Sequence, residues 1–437
     1  MTLFSLLSPA RPVPAEYRSN FLHLYLDIAW FGVLSGSAMA FIAVYAARQG
    51  ANAFQIGFLN AGPATMNLLF ALPAGRWLEK QSIGSAVFWA SVFYRIFYLF
   101  WVPLPLLLAP QSQIWTLIGL TLIMSIPGVT LAIGFNALFA DAVPPEWRGH
   151  VAGGRNGLLA ITFIITSLLS GYILSHFPFP MGYQIVFGLG FLGAAMSSFH
   201  LWFVRPFPGG TIPPRVGRSL GDMARPGMIR IIGDGLRHSV GLRFLTRSGG
   251  LHLPRTEILT GPFGRILAVL FGFHLAQYLP AALFPLIWVN RLHLSDQEIS
   301  LGTAVFYVTV FLGSTQLAYL TRRLDNHRVT AIGAILMTTY PGLMALSRGF
   351  GLFIAASIAG GFGWALAGGA LTNYILDKVP QDSRPAHLAW YNLALNAAIL
   401  LGSLIGPFLG GNLGHSAALG LFAASRLLAA LFLWRWG

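Results

Sequence analysis

Apolar residues in this chain do not alternate or recur at helical spacing against a polar face. They run on in long stretches, and Pro, Gly and small polar clusters separate one stretch from the next. A helix needs about 20 mostly apolar residues to cross a bilayer. Twelve stretches meet that length: 21–47, 54–75, 83–108, 113–139, 151–176, 182–204, 263–290, 298–321, 329–347, 350–376, 386–413 and 416–435. Their continuity predicts helices, because barrel strands read as alternating segments of about ten residues. Several spans contain Pro and many Gly, which buried membrane helices tolerate when neighbours repair the backbone.

Composition agrees: 55% of the 437 residues are hydrophobic and only 9% are charged. A soluble domain carries about 25% charged residues, so lipid is the solvent these surfaces suit. The chain has no cysteine, which excludes disulfides and thiolate metal sites. Met1 to Asn20 lacks the pattern of a cleaved signal, so the first span is expected to serve as an uncleaved insertion signal.

The net charge of +14 would suggest nucleic acid on a soluble protein. Placement decides otherwise. With both termini cytoplasmic, 22 of the 27 Lys and Arg fall on the inner side, and Arg48, Arg291 and Arg348 fall outside. Arg95 and Arg426 lie within spans. That bias is the positive-inside pattern, so a multi-pass protein of a cytoplasmic membrane is expected, without nucleic-acid binding. The longest loop divides the spans six and six, giving an N-terminal bundle over 1–204, a basic cytoplasmic linker over 205–262 and a C-terminal bundle over 263–437. Within the linker, Met228 to Leu245 alternates apolar and basic residues; it reads either as a helix on the inner leaflet or as a solvated linker.

The halves repeat. Asp141-Ala-Val-Pro144-Pro-Glu146-Trp-Arg148 follows span 4, and Asp377-Lys-Val-Pro380-Gln-Asp382-Ser-Arg384 follows span 10. The same offset of 236 pairs Asn156 with Asn392 and Ser167 with Ser403. An offset of 243 pairs Arg48 with Arg291 and Gln55-Ile56 with Glu298-Ile299. Two halves in one orientation make the parallel repeat of many carriers. The fold expected is an all-α membrane protein of twelve transmembrane helices in two pseudo-symmetric six-helix bundles.

On these features the chain resembles the major facilitator superfamily over its whole length. The Asp-x-Val-Pro-x-acid-x-Arg sequences carry the resemblance, as does Gly75-Arg-Trp-Leu-Glu79-Lys80, the first part of that family's loop 2–3 signature. The signature's later Gly and basic pair are missing, since Ser82, Ile83 and Gly84 fall there, and loop 8–9 has Arg322 and Arg323 where an acid is expected. The resemblance implies a cytoplasmic gate in which Glu79 meets the start of span 11. Arg148 and Arg384 would be its companions, with Asp141 and Asp377 tying down their loops.

Chemistry inside the membrane is sparse. Asp27 is the one acid inside a span, and an embedded carboxylate is a functional hypothesis by default. It reads either as a proton or substrate-cation site or as half of a structural ion pair. Arg95, flanked by Tyr94 and Tyr98, is within snorkelling reach of it, and Arg426 reads as structural. In span 7, His274, Gln277 and Tyr278 share a helix face. The resemblance implies that spans 1, 4, 7 and 10 line a central cavity, which makes these three, with Asn136, Trp364 and Asn373, candidates for solute or proton contact. Asn60 and Asn67 are weaker candidates. Glycines four apart, at 402, 406, 410 and 414 and at 149, 153 and 157, read as helix-packing faces.

No phosphate-cradling Gly-Lys-Ser/Thr loop and no metalloprotease or nucleophile-elbow motif appears. Neither an enzyme nor an ATP-driven pump is expected, and no cofactor or metal. The expectation is a monomeric secondary transporter of a small organic solute, with proton-coupled export favoured. Import of a nutrient or organic anion, or a non-transporting receptor or scaffold on the same fold, stays open.

Overall fold

The computed structural model describes residues 13–206, 257–380 and 383–437. The stretch 228–245, the other linker residues of 207–256, and Asp382 lie outside them. Ten stretches of the described residues are long and apolar enough to cross a membrane. One of them, Asp296–Leu346, is 51 residues long and holds two passes. The helix Ala53–Leu78, less apolar because it carries Gln55, Asn60, Asn67 and Arg76, makes twelve.

In chain order these are α1 (Ala15–Arg48), α2 (Ala53–Leu78), α3 (Ile83–Trp101), α4 (Pro110–Ala142), α5 (Pro145–His176) and α6 (Met181–Trp202). Then come α7 (Pro262–Arg291), α8 and α9 (sharing Asp296–Leu346), α10 (Phe350–Lys378), α11 (Arg384–Leu413) and α12 (His415–Trp436). Asp325, at φ 68° and ψ 166°, breaks the chain between α8 and α9. Helix α1 passes through a π-helical turn at Ser35–Met39. Helix α7 is interrupted after Tyr278, where Pro280 removes a backbone donor, and resumes at Leu283.

Both repeat offsets have structural counterparts. Asn52 and Ser295, 243 positions apart, start α2 and α8 with matching capping boxes closed by Gln55 and Glu298. The Asp-Ala-Val-Pro and Asp-Lys-Val-Pro segments end α4 and α10.

Within the N-terminal half α1 packs on α5 and α6, and α4 on α2 and α3; in the C-terminal half α8 packs on α10, and α7 on α11 and α12. The halves meet along two seams, α2 against α11 and α5 against α8. The seams need small residues. A side chain at Gly57 would overlap the Ser403 carbonyl of α11, and one at Gly171 would overlap Ser300 of α8.

The glycine stripes behave differently from each other. Gly402, Gly406 and Gly410 press α11 onto Tyr278, Leu279 and Leu283 of α7, as a packing face should. Gly414 instead takes a positive φ of 79° and separates α11 from α12. Gly149, Gly153 and Gly157 have open space where a Cβ would sit. The expectation of a packing face at the start of α5 is therefore corrected.

Candidate functional site

The N-terminal half is built around one carboxylate. Asp27 of α1 is 3% exposed. Both terminal nitrogens of Arg155 on α5 donate to its Oδ2 at 3.0 Å. Ser197 of α6 donates to Oδ1 at 2.6 Å, and Arg95 of α3 places Nη2 at 3.8 Å from Oδ1. Arg95 also donates to Ser198 Oγ at 3.1 Å, and Arg155 to the Leu24 carbonyl. Aromatic faces complete the shell, Phe31 beside Arg95 at 5.8 Å and Phe135 beside Arg155 at 4.6 Å. The cluster joins four helices and sums to one positive charge.

The pairing of Asp27 with Arg95 was legible in the sequence. Arg155, four residues into the predicted span 151–176, reads there only as one of the inner-side cations. Helix α5 starts at Pro145, with proline at its first position, which puts Arg155 about 15 Å along the helix and buries it. The predicted span starts at 151, six residues after the helix does, so Arg155 looks nearer the helix end than it is.

Of the polar candidates nearby, Asn136 donates to Ala132 O at 3.0 Å and Asn67 to Pro63 O at 3.1 Å, one turn back in their own helices.

At the basic end, Gly75 is buried in α2, while Glu79 and Lys80 are exposed just past its last turn. Arg148 donates to Val143 O at 3.0 Å and to Ala140 O at 2.6 Å, capping the end of α4, where helix carbonyls favour a cation. Asp141 is half-buried beside that end. Asp377 accepts from Asn326 at 2.8 Å, tying α10 to α9. Arg384 is the half-buried first residue of α11.

The ion pair between the halves lies at the opposite end. Arg48, closing α1, donates from Nε to Asp296 Oδ1 at 3.0 Å and from Nη2 to Leu294 O at 2.7 Å. Tyr183 of α6 donates to the same Oδ1 at 3.1 Å. The apolar core there is shared by both halves, with Tyr45 and Ile56 in one cluster with Leu283 and Ile287. Midway, Phe163 stacks edge-on to Tyr307 at 4.4 Å, and Ala64 packs on Leu395. Toward the basic end the cores separate: one cluster holds only C-terminal residues such as Leu267 and Ile375, and another only N-terminal ones such as Phe21 and Leu138. An ion pair and a shared apolar core join the halves at one end; toward the basic end each half has an apolar cluster of its own. Arg48 reads in the sequence as an outer cation and Asp296 begins α8, so neither by itself points to the other.

The C-terminal half holds a partly open cavity of about 310 Å³. Gln277, Tyr278 and Trp364 line it, and Phe306, Tyr340 and Phe353 add aromatic wall; all of its lining comes from the C-terminal half. His274 turns aside, its Nε2 3.0 Å from the Tyr391 hydroxyl on α11. Asn373 is absent from the lining, nine residues along α10 from Trp364. Arg426 reaches the cavity from α12. It donates to Ala276 O and Met337 O at 3.2 Å each, and to Gln277 O. Those carbonyls lie where α7 is interrupted and where the Asp296–Leu336 helix ends.

This arrangement of helices defines a multi-pass membrane protein with the major facilitator fold. Residues 266–437 match the profile of the Major Facilitator Superfamily. Among solved structures, a D-xylose–proton symporter shares the fold at a TM-score of 0.67 and 14% identity, over 96% of this chain and 97% of that one. The nucleoside transporter NupG aligns at 0.63 and 12%, over 97% and 99%. The human organic anion transporter MFSD10 aligns at 0.61 and 15%, over 96% and 100%. No curated protein matches the sequence.

Proposed function

We propose that the protein is a secondary transporter that moves a small organic solute by alternating access. Residues 1–204 and 263–437 would rock against each other as two bodies joined by 205–262. The observation that carries this reading is the one-sided interface. A shared core and the Arg48–Asp296 pair join the halves at one end, while their cores stay apart at the other. A path open to one side of a membrane and shut to the other is what a carrier needs in one of its states. The distribution of Lys and Arg favours the cytoplasm as the open side. That is the loading side for export, and an aromatic cavity with few polar groups suits an amphipathic compound better than a sugar.

Asp27 is the carboxylate we assign to proton coupling. Protonating it would leave Arg95 and Arg155 without a counter-charge and loosen α1 from α3 and α5. The test is flux into proteoliposomes with an imposed pH gradient, across a panel of drugs, sugars, amino acids and organic acids. Gradient-driven movement of one class supports the proposal. Binding of a panel member with no flux under any gradient would replace it with a receptor-like role.

A further inference from the structure

We infer that the solute of the C-terminal cavity is an organic anion, a one- or two-ring aromatic acid whose carboxylate docks on Arg426. The inference rests on the transport reading for the word solute, but the charge of the ligand follows from the site alone.

The embedded arginines are treated differently in the two halves. Arg95 and Arg155 share Asp27. Arg426 is just as buried, at 7% exposure, yet among the described residues no carboxylate lies within ion-pairing distance of it. Its three partners are main-chain carbonyls at helix breaks. Carbonyls at a helix C-terminus carry partial negative charge, which explains how the cation is held in place. They solvate it without neutralising it, and an uncompensated buried charge is costly.

Donors are also left over. A guanidinium has five N–H groups, and three are committed to the carbonyls. Trp364, on the same cavity, has an indole N–H with no acceptor among the described residues. Among the described residues no Asp or Glu lines the cavity, so a cationic solute would meet an unneutralised cation and no described acid to offset it. An anion would complete the missing charge, accept the spare donors and lay its ring against Phe306, Tyr340 and Phe353. A cavity of about 310 Å³ is at the small end for organic ligands and suits one or two rings.

The test uses the full chain in nanodiscs and three probes of one shape: 2-naphthoate, its neutral amide and the corresponding naphthylmethylammonium. Calorimetric titration should show naphthoate binding at least tenfold more tightly than the amide, with no binding of the ammonium. This comparison needs no variant to fold. Arg426→Gln should erase the preference for the acid, and Arg426→Lys should keep part of it. Equal affinity for acid and amide, no binding of naphthoate up to millimolar concentration, or a preference that survives Arg426→Gln would each overturn the inference. Naphthoate that binds with the expected preference but is not carried across proteoliposomes would leave the inference standing and count against transport alone.

Discussion

Arg48 and Asp296 belong to different halves of the molecule, and their side chains meet at 3.0 Å where α1 ends and α8 begins. The pair is partly exposed, 29% and 11% at the two side chains, so its own contribution is about 1 kcal/mol. That is enough to shift a two-state equilibrium roughly fivefold. Arg48→Gln should therefore populate a state open at this end. Because the chain has no cysteine, a single Ala51→Cys, placed in the buried core beneath the pair, reports it. Its maleimide labelling should quicken about fivefold in the Arg48→Gln background and return toward normal in the charge-swapped double variant Arg48→Asp, Asp296→Arg. An unchanged rate would mean that the shared apolar core alone keeps this end shut.

The Asp27 cluster predicts an ordering of two variants. Asp27→Asn keeps the shape but orphans two buried guanidiniums, a loss of about 3–5 kcal/mol. Arg95→Met leaves Asp27 its two bonds from Arg155 and its bond from Ser197, and should cost clearly less. Thermal unfolding in detergent should rank wild type above Arg95→Met, and Arg95→Met above Asp27→Asn. The reverse ranking would sink the idea that Asp27 organises the cluster.

Much of this molecule is written in its hydrophobic runs. The spans and the matched segments after spans 4 and 10 reappear as helices and helix ends. Partners were harder to see. Asp27 stands out because acids are rare in spans, whereas Arg155 falls near the start of a predicted span that begins six residues after α5 does. Arg426 reads as structural in the sequence, where its partners are not visible. What sequence could not show is that its carbonyl partners come from breaks in other helices and that no acid among the described residues joins them. Contacts between halves were least legible, because Arg48 and Asp296 are 248 positions apart and each looks like an ordinary charge at a helix end.

The glycines of α11 give a third prediction. A Cβ at Gly406 would overlap the Leu279 carbonyl of α7, whereas Gly411 faces open space. Gly406→Ala should destabilise by about 1–3 kcal/mol through overpacking. Gly411→Ala should be neutral or slightly stabilising, since alanine is the better helix former. Melting temperatures of the two variants decide it; equal temperatures would show that α7 yields to the added methyl group.

Gly149, Gly153 and Gly157 carry a further consequence. They stand on the first turns of α5, at the end where the two cores part, with nothing against them. Ordering a long side chain costs up to about 2 kcal/mol in lost rotamer freedom, and ordering glycine's costs nothing. If the parted ends come together, those three positions contribute no such entropic penalty on closing and release none on reopening. Bare backbone there would let the end cycle between open and shut with little thermodynamic bias of its own, leaving the direction of movement to the solute and the gradient.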